Sequence, residues 1–247
     1  MRKAGLVGVM VGGLCLWGPL QAQAETFGAS ASVAYWQATH SGTVKNGADN
    51  VSIDNDLGFH DSSFAVMSFS FQHPVPFLPD FKFQYYKMDQ VANGSIPLNK
   101  TYDGFNGDVH TNLDLSNYDL TLYYQLLDNW VHLDLGLTGK VFSGHINVRQ
   151  ANGTQQSNTS INTAVPMLYA AARFDLPATG LSVGAEGNGI AYSGKHLYDA
   201  SAYVNYRLVV FNLQAGYRQM AMKVDDIDGI GVDVKLHGPY VQVGVAF

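Results

Sequence analysis

The stretch GPYVQVGVAF, Gly238–Phe247, decides the fold class. Val241, Val243, Val245 and Phe247 fall on one face of an extended chain; Tyr240, Gln242, Gly244 and Ala246 fall on the other. Successive side chains of a strand point to opposite sides, so this is a strand with one apolar and one mixed face. A soluble sheet uses such a strand to cover a core. A membrane barrel uses it differently, setting the apolar face against lipid and the polar face toward a lumen.

The same period recurs in nine earlier stretches, each bounded by polar or turn-forming residues. The clearest is SNYDLTLYYQLL (116–127), with Tyr118, Leu120, Leu122, Tyr124 and Leu126 opposed by Asn117, Asp119, Thr121, Tyr123 and Gln125. WVHLDLGLTGKVF (130–142) continues the pattern. Connections alternate in length along most of the chain, the fourth outer position holding only the short SGKH (193–196). HPVPFLPD (73–80), LDN (127–129) and LPATG (176–180) are tight, whereas 39–61, 88–111 and 143–163 are long and polar. Sorting by length onto alternate ends is a property of membrane barrels, not of soluble sandwiches. Tyr35, Trp36, Tyr85, Tyr86, Tyr123, Tyr124, Trp130 and Tyr217 stand near strand ends, where an interfacial aromatic girdle is expected. The expectation is an all-β, antiparallel, up-and-down transmembrane β-barrel of about ten strands, within a range of eight to twelve.

The front of the chain fits export. Met1-Arg2-Lys3 precedes an apolar run to Leu20 and the small-residue site Ala22-Gln23-Ala24, the pattern of a secretory signal peptide over residues 1–24. The barrel domain is then 25–247, and Cys15 leaves with the leader. Without that leader, 12 basic stand against 20 acidic residues, a net charge near −8. That balance argues against a nucleic-acid partner. Charged residues are only 14% of the sequence, low for a soluble domain near 25%. No later segment reaches the roughly 18 apolar residues that a membrane helix needs.

Alternation places ten charged side chains toward the lumen: Lys82, Asp119, His132, Asp134, Lys140, Arg173, Glu186, Asp199, Arg207 and Arg218. Both signs are present. An interior of about ten strands lies near the limit at which side chains fill it. The expected arrangement is an ion-paired plug, with a narrow channel for small solutes as the alternative. Catalytic patterns are weak. His132-Leu133-Asp134 meets the residue types of an outer-membrane protease but follows a tight turn, on the wrong rim for one. Ser193 and His196 occupy a short outer loop without the spacing of a lipid-A enzyme. The chain reads as a non-enzyme without a cofactor or metal. Asp54–Gly58 and Asp225, Asp226, Asp228 and Asp233 are acidic, yet neither group has the ligand ladder of a calcium loop.

The leader, DNDLGF (54–59), HPVPFLPD (73–80) and PYVQVGVAF (239–247) together resemble a group of small proteobacterial outer-membrane barrel proteins of undefined function. Phe247 resembles the terminal aromatic signal read by the barrel assembly machinery. The resemblance implies a Gram-negative outer membrane, with lipid and lipopolysaccharide as neighbours. The expected role is structural, or surface interaction through long extracellular loops.

Overall fold

A computed structural model describes residues 27–46, 49–227 and 230–247, the side chains of 46, 225–227 and 230 excepted. The leader and the acidic side chains of Asp225, Asp226 and Asp228 lie outside the described residues. The strands are β1 (Gly28–Asn46), β2 (Asn50–Ser52), β3 (Ser62–Gln72), β4 (Asp80–Ile96), β5 (Gly107–Asp128) and β6 (Val131–Gln150). They continue as β7 (Gln156–Asp175), β8 (Leu181–Tyr192), β9 (Lys195–Leu208), β10 (Phe211–Ile227) and β11 (Ile230–Ala246). Ten of them pair in sequence order, and β11 returns to β1, closing an antiparallel barrel. The short β2 pairs only with β1, inside the first long connection.

The seam explains the terminal alternation. Register runs from Ser30 opposite Ala246 to Asn46 opposite Ile230. The Phe247 amide donates to the Ala29 carbonyl at 2.9 Å, and the Ala29 amide to the Phe247 carbonyl at 3.1 Å. Closure leaves no bare edge along the barrel wall between these strands.

Outward side chains such as Val33, Met67, Leu120, Leu137, Val204 and Val243 are exposed and apolar. A continuous belt of them exceeds what a water-facing monomer carries, and it suits lipid. Aromatic contacts border it: Tyr85 against Tyr118 at 5.0 Å toward the long-strand end, and Trp130 against Phe174 at 5.3 Å at the short-turn end. Three expected girdle residues belong elsewhere. Trp36, Tyr86 and Tyr123 are buried inside the barrel. Adjacent aromatics on one strand must face opposite sides, so only one of each pair reaches the belt.

The long connections are a second correction. They are mostly strand, not loop: β4 and β5 stay paired out to Ile96 and Gly107, and β6 and β7 out to Arg149 and Gln156. β5 alone has 22 residues, about twice the 9–11 that cross a membrane. Their polar outer faces erase the apolar alternation that marks strands in a sequence. Their inner faces stay apolar and are filled by the first connection. Val51, Ile53, Leu57 and Phe59 pack against Ile96, Val109 and Val148 in a buried core of their own.

Two glycines permit that packing. A Cβ on Gly94 would lie 2.1 Å from the Asp56 carbonyl oxygen, and one on Gly58, whose φ is +77°, 2.0 Å from that of Asn93. Asp56 is further held by Lys100 at 3.1 Å and by the Ser52 amide at 2.8 Å. Asp54 accepts from the Ser52 hydroxyl, which holds its carboxyl below the ordinary range. Both carboxylates of DNDLG are thereby engaged by the protein's own donors. Gly94→Ala is expected to expel the first connection while the barrel persists, read as protease cleavage between 49 and 61 with unchanged heat-modifiable gel mobility.

His40 sits at the foot of this core against Phe59 and Phe64, its Nδ1 donating to the His60 carbonyl at 2.9 Å. Burial lowers its pKa below 6.5, outweighing the His60 bond and Asp61. The form with the first connection displaced therefore binds more protons below pH ~6.5, and the seating of that connection loses stability as pH falls, by at most ~1.4 kcal/mol per pH unit. Hydrogen exchange at 53–59, corrected for intrinsic rate, should accelerate between pH 7.5 and 5, and His40→Gln should flatten that response.

Candidate functional site

The barrel interior holds all ten charged residues that alternation pointed inward, in two groups. At the short-turn end, Lys82, His132, Asp134, Arg173, Glu186 and Arg207 line a polar cavity of about 320 Å³. Serines of β1 and β3 (Ser30, Ser32, Ser68 and Ser70) form its opposite wall. The Lys82 ammonium donates to both oxygens of Glu186, at 2.7 and 2.6 Å, across the barrel. His132 is clamped between two carboxylates, with Nδ1 2.8 Å from Asp128 and Nε2 2.8 Å from Asp175. Arg173 donates to the same Asp175 at 2.9 Å. Both nitrogens of His132 are thus engaged in a rim network at the short-turn end, which is a structural use of the ring.

Deeper in, Asp119, Lys140, Asp199 and Arg218 form one closed layer. Lys140 lies 2.6 Å from Asp119 and 3.2 Å from Asp199 and also donates to the Tyr86 hydroxyl. Tyr86 in turn donates to Asp119 at 2.8 Å. Arg218 grips Asp199 in a fork, Nε to Oδ1 at 2.8 Å and Nη2 to Oδ2 at 2.6 Å. Its guanidinium plane lies over Trp36 at 5.1 Å and Tyr86 at 4.8 Å. Lys140 has no exposed surface and Asp119 almost none.

Two cations and two anions sum to zero. This is the condition under which charges tolerate removal from water, since each finds a partner of opposite sign. The layer is also tight. The void between it and the cavity is small, about 30 Å³, room for one or two ordered waters. On its other side stand Met88, Met220 and Leu236 of an apolar cluster, and then the core of the first connection. The interior is therefore a cup, open at the short-turn end and closed above.

Tyr86 and Trp36 are the members that sequence reasoning assigned to the girdle. The signal that could have found them was present: Tyr86 follows the outward Tyr85, and Trp36 follows the outward Tyr35.

The fold and interior define a closed, narrow β-barrel of the outer-membrane type. No family model matches the chain, and no curated protein matches it. Among solved structures it is similar to the outer membrane protease OmpT of Escherichia coli, with a TM-score of 0.61 over 90% of this chain and 99% of that one. Identity is 9%, so the likeness concerns the fold alone. Neisserial surface protein A (TM-score 0.35, 13% identity, 90% of this chain, 97% of that one) also matches. So does Ail of Yersinia pestis (TM-score 0.37, 10% identity, 89% of this chain, 98% of that one). Both superpose too loosely to carry a functional argument.

Removing one member of the layer leaves an uncompensated buried charge. Lys140→Met is expected to lower the unfolding free energy in detergent by about 3–5 kcal/mol, the usual cost of breaking a buried pair. Lys140→Met combined with Asp119→Leu should recover most of it, because the remaining Asp199–Arg218 pair is neutral. Urea midpoints of the single and double variants check this.

Proposed function

We propose that this chain is an integral outer-membrane barrel of a Gram-negative envelope that conducts nothing and acts through its surfaces. One observation carries the reading: the interior is blocked by the neutral Asp119–Lys140–Asp199–Arg218 layer, with an apolar core seated above it. Ten strands leave no room for both this layer and a solute path. The apolar belt, the export leader read in the sequence and the outer-membrane type of fold support the location.

The working surface is the lobe built by the prolonged strands β4–β7 with β1 and β11. It has its own hydrophobic core, so it presents a fixed shape rather than a set of loops. In this reading the lobe is extracellular and the cup faces the periplasm, with outer-membrane lipid and lipopolysaccharide as neighbours and Phe247 as the mark read during barrel assembly. No reaction is proposed for the chain.

Two measurements test it. The refolded protein in a planar bilayer should show no steady conductance; an ohmic, reproducible channel overturns the closed-lumen reading. In cells, Asn152→Cys at the β6–β7 tip should react with a membrane-impermeant maleimide, whereas Pro76→Cys in the β3–β4 turn should react only after permeabilisation. The reverse pattern overturns the orientation.

A further inference from the structure

The barrel wall has two places where pairing stops early. One lies between β3 and β4, whose ladder ends at Val66 opposite Tyr86 although β4 runs on to Ile96. The first connection occupies that side, its Asp56–Gly58 backbone lying against Gly94 of β4. The other lies between β7 and β8. Their ladder ends at Leu168 opposite Gly189, yet β7 continues outward for twelve residues to Gln156 and β8 to Tyr192. No described segment covers this second gap.

The cause is legible in the chain. The β8–β9 hairpin turns early through Ser193 and Gly194, whose φ values of +50° and +80° make the two-residue turn that right-twisted strands prefer. Pro166 sits on β7 where the ladder has ended, while pairing with β6 continues through it, opposite Gly139. Proline lacks an N–H and belongs on an edge, which is what β7 is from this point.

The gap is apolar and roomy. Leu137, Pro166, Met167, Leu168, Ile190 and Leu197 line a cleft of about 550 Å³. The cleft is open on its outer side, a groove along which an extended chain would lie rather than an enclosed cavity. Leu137 and Leu168 belong to the outward belt, 62% and 70% exposed. Met167 and Leu197 belong to an inner apolar cluster with Phe142. The cleft therefore runs from the lipid-facing surface into the barrel, in the half of the belt nearer the lobe. On its upper border stand His196, stacked on Tyr198, and Lys223, its cross-strand neighbour on β10.

We propose that this lateral cleft binds one acyl chain of an outer-leaflet lipid. The occupant follows from continuity: the cleft opens from the belt that meets lipid, and no water-filled route reaches it from the closed interior. The side chains facing it are mostly aliphatic and offer a polar solute few partners, which suits a methylene chain. His196 and Lys223, the latter 3.8 Å from the Asp233 carboxylate, stand where a lipid head group would lie. The inference rests on the membrane location proposed for the barrel.

The test uses the refolded barrel in detergent, with dipalmitoyl phosphatidylglycerol as probe and native mass spectrometry as readout. Wild type should retain one lipid saturably. Gly189→Leu fills the cleft, and the only atom within 4 Å of its new Cβ is Tyr198 Cβ at 3.9 Å, so folding should be unaffected. It should weaken retention about tenfold, equivalent to about two buried methylenes. Ile190→Phe gives a second filling variant, and heat-modifiable mobility verifies both. Absence of a saturable lipid, or retention that neither folded variant changes, overturns the proposal. Failure of the wild-type barrel to float with phospholipid vesicles overturns the membrane location instead.

Discussion

A strand that crosses lipid has no water to satisfy its amides and carbonyls, so every one must find a partner in the next strand. For this chain most of that pairing follows sequence order, and the first and last strands satisfy each other because β11 reaches back to β1. Once the sheet closes on itself at ten strands, its interior dimension is set, and the inward side chains must fill a narrow tube. The packing of the interior is a consequence of that diameter. Large inward residues such as Trp36, Tyr86 and Tyr240 pack in one buried cluster, and charged side chains confined beside them must pair.

The two ends of the tube solve the filling problem differently. The short-turn end keeps small hydroxyl side chains on β1 and β3, and the space they leave is the polar cup. The other end replaces polar filling with apolar filling, since the inner faces of the prolonged strands carry Ile96, Val109 and Val148, and the first connection folds down onto them. The charged layer stands between a wet half and a dry half. Its neutrality matches that position, because unpaired charge would be drawn toward the wet side.

How much of this was readable beforehand depends on the physical signal each feature leaves. Strands inside the belt announce themselves by lipid on one face, which forces a strict alternation; 116–127 is legible for that reason. The inward direction of Asp119, Lys140 and Arg218 follows from the same period. Their meeting in one layer does not, because it depends on the stagger between strands far apart in sequence, such as β5 and β10. The prolonged strands were missed since hydration of their outer faces removes the contrast that alternation needs. The seating of 49–61 inside the lobe was equally hidden, although Gly58 and Gly94 mark the close approach in retrospect.

The balanced charge of the inner layer has an electrical meaning. A unit charge carried across a membrane under 100 mV exchanges about 2.3 kcal/mol with the field. Asp119, Lys140, Asp199 and Arg218 carry no net charge as a group, so a uniform field exerts no net force on them together. Opposite pulls on the cations and anions are borne by contacts of 2.6 to 3.2 Å within the layer itself. The layer as a whole thus offers a membrane potential no net gating charge to move.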